Sequence, residues 1–153
     1  MSREPLPDLV VLDASFVLRY VLHTKAPRPH PEGLSALRHV ELAVPALWHA
    51  EIANALVQSE RRGAATPERV GQALAALNAL EPIVDNHVVE VSRNLEVSRA
   101  YGVSAYDALY LELALRRRAA LATYDDDLMA AASRAGIRLY PPIAVPTSAR
   151  EQP

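Results

Sequence analysis

Short apolar runs alternate along the chain with longer segments that have helical periodicity. Leu9–Leu12 and Ala119–Thr123 are short and mostly apolar, which is typical of strands buried on both faces of a parallel sheet. The segments 41–44, 82–84 and 137–140 predict further strands. Between these segments, apolar residues recur every three or four positions, as on one face of a helix. The pattern predicts an α/β fold with a central, mostly parallel sheet and helices on both of its sides.

Capping residues and prolines set the limits of the predicted helices. Thr66 precedes a proline, and Asp85 and Ser104 each precede a helical segment, so we expect all three to be N-caps. Prolines at positions 27, 29 and 31 predict a loop over residues 25–31. The predicted helices span residues 14–23, 32–39, 45–62, 66–80, 85–101, 104–118 and 125–135.

Composition narrows the possible functions. The 153 residues suit one domain, which we expect to span 1–146 and to be followed by a disordered C-terminal tail at 147–153. A net charge of −2 and a hydrophobic content of 50% argue against a disordered chain and against a generally basic nucleic-acid binder. The lack of cysteine leaves only histidine and oxygen ligands for a metal. With no secretory h-region and no apolar run of membrane length, the sequence predicts a cytoplasmic protein.

Two carboxylates interrupt apolar columns of predicted helices. Residues four apart share a helix face, so Glu51 falls between Leu47 and Ala55, and Asp107 falls between Val103 and Leu111. We expect both acids on the buried side, although a position at the edge of the apolar stripe is an alternative.

The other acid of the second helix serves as a contrast. Glu112 stands four residues before Arg116, which is typical of a solvated face. We therefore expect Glu112 at the surface.

Two further carboxylates follow predicted buried strands. Asp13 and Asp125 stand where strands give way to helices, at the edge of an α/β sheet where ligands bind. N-capping is the alternative role for each. Carboxylates brought close together repel one another unless a cation is present, and Mg²⁺ and Mn²⁺ prefer oxygen ligands. We therefore predict one divalent-metal site formed by Asp13, Glu51, Asp107 and Asp125, called the acidic quartet below.

Four segments around these acids resemble the PIN-domain ribonucleases, and among them the VapC-type toxins. The segments are VVLDASFVLRY, VPALWHAEIANAL, SAYDALYLELAL and LATYDDDL. The resemblance implies a PIN fold whose acidic quartet binds Mg²⁺ or Mn²⁺. It also implies that Ser15 and Thr123 orient the pocket, unless they are ordinary cap or turn residues. Asp127 competes with Asp125 for the position of the fourth acid.

The resemblance further implies a function and its partners. A VapC-type protein hydrolyses RNA phosphodiesters with metal-activated water, forms homodimers and is silenced by a VapB-type antitoxin. Two alternatives stay open, namely a housekeeping PIN nuclease of RNA processing and a non-catalytic PIN module that binds RNA or a protein. Arginines that are candidates to line an RNA path, unless they merely cover solvated helix faces, occur at positions 61, 62, 99 and 116–118.

Overall fold

The computed structural model describes residues 4–22 and 33–143. The predicted loop at 25–31 and the predicted tail at 147–153 lie outside the described residues. The strands are β1 (Leu9–Leu12), β2 (Glu41–Pro45), β3 (Ile83–Asp85) and β4 (Ala120–Ala122). The helices are α1 (Ala14–Val21), α2 (Leu47–Arg61), α3 (Pro67–Asn78), α4 (Val91–Tyr101), α5 (Ala105–Arg117) and α6 (Asp126–Arg134), and a 3₁₀ helix spans Gly33–His39.

The four strands form one parallel sheet in the order β3-β2-β1-β4. β1 lies at the centre, with Val10 opposite both Leu42 of β2 and Ala120 of β4. Because all strands run in the same direction, their carboxyl ends meet at one edge of the sheet. The residues that follow β1 and β4, Asp13 and Thr123, therefore lie at the same edge.

Helices cover the sheet and bury its apolar strands. α5 packs on β1 and β2 and contacts α4 and α6, whereas α1 packs against α2 and α3. Val10, Val11 and Leu12 are fully buried, as predicted for a strand covered on both faces. The architecture confirms the predicted α/β class with a parallel sheet flanked by helices. In the described part of the chain, no helix is long and apolar enough to cross a membrane.

Two local predictions were wrong. Asp85 does not cap a helix: it is the last residue of β3, and α4 begins only at Val91. The segment 137–140 makes a single parallel bridge, between Leu121 and Leu139, instead of a strand. Pro141 and Pro142 follow directly, and proline has no N–H with which to continue a ladder.

Candidate active site

Asp13 is held by hydroxyl groups at the carboxyl edge of the sheet. Its side chain is only 5% exposed. Although Asp13 occupies the N-cap position of α1, its carboxylate caps no backbone N–H, so the capping alternative is wrong. Instead, Thr123 Oγ1 donates to Asp13 Oδ2 over 2.6 Å, and Ser15 Oγ donates to the same oxygen.

The two hydroxyl residues also join β4 to α1. Ser15 Oγ accepts from the backbone N–H of Tyr124 over 3.0 Å, and Thr123 Oγ1 accepts from the N–H of Asp125 over 3.0 Å. Thr123 is fully buried. Ser15 and Thr123 therefore contact Asp13 and the backbone before Asp125, the contacts expected of residues that orient a pocket.

Asp107 lies in the first turn of α5 and is half-buried. Ser104, the N-cap of this helix as predicted, accepts from the N–H of Asp107 over 3.1 Å and donates its own hydroxyl to Asp107 Oδ2 over 2.8 Å. This reciprocal pair satisfies a free N–H of the helix end. It also fixes the direction of the Asp107 side chain.

Glu51 lies on α2 at the margin of the buried face. The buried column of this helix is Trp48, Ile52 and Leu56, one position from the predicted column, and Glu51 itself is half-buried. The hydroxyl of Tyr110, a fully buried residue of α5, donates to Glu51 Oε2. The sequence analysis missed Tyr110. The sequence feature that could have revealed it is its place on the buried face of α5. A buried phenol hydroxyl needs a hydrogen-bond partner there.

Asp125 and Asp127 both belong to the start of α6. Asp125 Oδ1 accepts from the N–H of Leu128 over 2.8 Å, so this acid does cap its helix. Its second oxygen makes no hydrogen bond within residues 4–22 and 33–143. Asp127 is exposed in the first turn. Capping therefore leaves one oxygen of Asp125 available.

The pKa shifts show that these carboxylates repel one another electrostatically. Burial, with smaller contributions from the charges of Glu51 and Asp107, raises the pKa of Asp13 to about 6 against the opposing hydroxyl bonds. Burial, and then the charge of Asp107, raise the pKa of Glu51. Burial also raises the pKa of Asp107, and both Asp125 and Asp127 add to the effect. The structure thus brings the acidic quartet and Asp127 into one region of negative potential.

No cation of the described residues neutralises this region. None of the ion pairs formed within those residues involves a member of the acidic quartet. As the side chains stand, no three carboxylate or imidazole groups in the described ranges are close enough together to hold one ion. The donor chemistry nevertheless fits Mg²⁺ or Mn²⁺, because these ions prefer oxygen, keep several waters and need few protein carboxylates.

Glu112 contradicts its predicted surface position. It is only 4% exposed, and its carboxylate accepts from Arg116 Nε over 3.0 Å. Arg116 also binds Asp85 over 3.2 Å, and Arg117 lies 3.5 Å from the same carboxylate. The four-residue spacing does bring Glu112 and Arg116 together, but the pair also meets Asp85 at the end of β3 and so does not lie on a solvated face.

The protein thus has an α/β fold, and carboxylates at the carboxyl edge of its sheet have no neutralising cation among the described residues. The family model for the PIN domain matches residues 10–134, and the chain belongs to the PIN domain family. This confirms the family-level resemblance. PIN domains are typically metal-dependent nucleases, and the family membership suggests RNA binding.

The fold of this chain is similar to that of a solved structure. The crystal structure of PAE2754 from Pyrobaculum aerophilum superposes with a TM-score of 0.61 and 22% sequence identity, over 80% of this chain and 78% of that one. At this identity the likeness shows the fold alone. No curated protein matches the chain.

Proposed function

We propose that this protein is a metal-dependent endoribonuclease whose acidic quartet, Asp13, Glu51, Asp107 and Asp125, binds Mg²⁺ or Mn²⁺. The observation that carries the proposal is the group of mutually repelling carboxylates, at the ligand-binding edge of a PIN-domain sheet, without a cation from the described residues. Such charge is costly to a fold unless a bound cation compensates it.

A bound divalent ion supplies activated water and neutralises the charge that develops on a phosphodiester during hydrolysis. The protein residues prepare its ligands. Both hydroxyl donors bind the same oxygen of Asp13, so the other oxygen stays available. Tyr110 orients Glu51, and Ser104 orients Asp107. We expect hydrolysis without a covalent intermediate, which leaves a 5′-phosphate and a 3′-hydroxyl.

The biological role that we propose is that of a VapC-type toxin in a type II toxin-antitoxin pair. The four sequence segments of the resemblance support it, and so does membership of the PIN domain family. In this role the protein acts in the cytoplasm as a homodimer, and a VapB-type antitoxin silences it. A small antitoxin-like reading frame next to the gene is the expected genetic context, whereas its absence would favour a housekeeping nuclease.

The test is RNA cleavage by the purified protein. We expect cleavage of single-stranded RNA with Mg²⁺ or Mn²⁺, loss of cleavage with a chelator, and recovery when metal is added in excess. Asp107→Asn should reduce kcat by on the order of a thousandfold, because it removes a proposed metal ligand.

Asp126→Asn is the matched control. This exposed acid stands beside Asp125 at the start of α6, so the same chemical change there should leave kcat within about twofold. Cleavage that persists in the chelator would contradict the metal mechanism. RNA binding without cleavage by the wild-type protein would favour the non-catalytic PIN module.

A further inference from the structure

An arginine lies over the ring of Tyr124, the residue that precedes Asp125 of the acidic quartet. Arg19 of α1 places its guanidinium carbon 4.5 Å from the ring centroid of Tyr124. Phe16 stacks on Tyr124 as well, with ring centroids 5.0 Å apart and planes only 2° from parallel. The Tyr20 hydroxyl lies 2.6 Å from that of Tyr124. These contacts hold Tyr124 and give the Arg19 side chain an aromatic surface on which to lie.

The same contacts position Arg19 next to the proposed metal site. Tyr124 stands in the chain between Thr123, which binds Asp13, and Asp125. Its backbone N–H donates to Ser15 Oγ, and Arg19 follows Ser15 by four residues on the same face of α1. Arg19 therefore begins about 5–6 Å along the helix from a residue that touches Asp13.

The charge of Arg19 is unusual in this setting. Its side chain is partly exposed, and no carboxylate in the described part of the chain forms an ion pair with it. A guanidinium that lies against a ring keeps the N–H groups of its edge free. Those groups form a planar fork that matches the two oxygens of a phosphate.

We propose that Arg19, supported by Tyr124, binds a backbone phosphate of the RNA strand next to the phosphodiester that is cut. The inference rests on the proposed nuclease function and adds a positive subsite to a site that otherwise repels RNA. Arg19 was not among the arginines predicted from the sequence to line an RNA path. Its position against Tyr124 distinguishes it from those residues.

The experiment measures binding and cleavage separately. Binding of a fluorescent single-stranded oligoribonucleotide is followed in the Asp107→Asn background, and cleavage is followed in otherwise wild-type protein. Arg19→Gln should raise Kd and KM about tenfold and leave kcat within about twofold, because the phosphate contact is made in substrate and transition state alike. The slope of log Kd against log salt should fall by about 0.7, the contribution of one phosphate on a single strand.

Two variants complete the comparison. Arg19→Lys keeps the charge but loses the fork, so it should retain the salt slope while Kd rises about threefold. Arg38→Gln removes an exposed arginine from the 3₁₀ helix that precedes β2 and should change Kd by less than about twofold.

Three results would overturn the proposal: an unchanged Kd in Arg19→Gln, an effect no larger than that of Arg38→Gln, or a loss confined to kcat and melting temperature. The last would show that Arg19 only anchors α1. If Arg19→Gln does not fold, an unchanged Kd in Arg19→Lys overturns the phosphate contact. A wild-type protein that binds RNA but never cuts it would refute the nuclease function, and the binding series would still decide the role of Arg19.

Discussion

Two groups of buried carboxylates in this protein are treated in opposite ways. Asp85 and Glu112 meet Arg116, and Arg117 lies near Asp85. Burial acts to raise the pKa of Asp85, but hydrogen bonds from Arg116 and from the backbone N–H of His87, together with the charges of Arg116 and Arg117, outweigh it and hold the pKa below its usual value. At Asp13 burial prevails over the hydroxyl bonds, and the neighbouring charges are negative.

A single helix, α5, contributes to both groups of carboxylates. α5 carries Asp107 in its first turn, and Glu112 and Arg116 further along. The compensated group, Asp85 and Glu112 with Arg116, connects α5 to the end of β3. The uncompensated group, the acidic quartet, leaves negative charge that no cation of the described residues balances. A buried ion pair that is complete costs little, but a buried charge without a partner is expensive. Among the described residues, buried carboxylates without a cationic partner lie at the edge where we propose that the metal binds.

The largest expected effect comes from neutralising Asp13. Asp13→Asn should lower kcat by on the order of a thousandfold, because a proposed metal ligand is lost. The same change should raise the free energy of unfolding of the metal-free protein at pH 8. The gain is at most about 3 kcal/mol, which corresponds to the difference between a pKa of about 6 and the usual 3.8. Urea unfolding in a chelator measures the stability.

The sign of this effect depends on pH. Below pH 3.8 Asp13 is protonated in both the folded and the unfolded protein, so it carries no penalty there. Between that value and about 6 the folded protein binds more protons than the unfolded one, and stability falls as pH rises. The fall should be smaller in Asp13→Asn. If Asp13→Asn instead unfolds more easily at pH 8, the carboxylate is a structural group and the comparison fails.

A smaller effect is expected from breaking the compensated group. Arg116→Met removes the cation shared by Asp85 and Glu112, whose side chains are only 8% and 5% exposed. The free energy of unfolding should fall by about 2–3 kcal/mol, because two buried carboxylates lose their partner. Glu112→Gln should cost about 1 kcal/mol, since Arg116 keeps Asp85. In both variants kcat, corrected for the folded fraction, should stay within about twofold; a thousandfold loss would place this group in the active site.

The smallest expected effect comes from removing the hydroxyl group that orients Glu51 of the acidic quartet. Tyr110→Phe removes only the hydroxyl that donates to Glu51, so the ring should keep the core packed. The Mn²⁺ concentration for half-maximal cleavage should rise about tenfold, as for loss of a group that orients a metal ligand. Kd for RNA, measured in the Asp107→Asn background, should stay unchanged. A weaker RNA affinity with an unchanged metal requirement would contradict this role of Tyr110.

Local signals in the sequence were sufficient for much of the fold. The caps at Thr66 and Ser104 were predicted correctly, and each side chain accepts from an N–H in the first turn of its helix. The strands β1 and β4 were also predicted, because continuous apolar runs are typical of a parallel sheet. These predictions succeeded because a cap and an apolar run are both recognised from residues that are close together in the sequence.

Predictions that depended on distant partners fared less well. Glu112 pairs with Arg116 as its spacing suggests, but Asp85 arrives from another element and buries the pair. Asp85 itself was predicted as a cap because its arginines were unknown. Tyr110 has the pattern of an ordinary residue on the buried face of α5, and nothing in that pattern indicates its partner Glu51, which lies 59 residues earlier. Such contacts between elements are invisible to periodicity.

The hydrogen bond from Thr123 to Asp13 joins residues 110 positions apart. β4, which Thr123 follows directly, is the last strand of the described sheet to be synthesised, and it pairs with β1, the first. A growing chain on the ribosome therefore carries Asp13, Glu51 and Asp107 before it has the strand that closes the site. A ribosome that makes this protein holds RNA, and the order of the strands keeps the proposed nuclease incomplete until synthesis has passed β4.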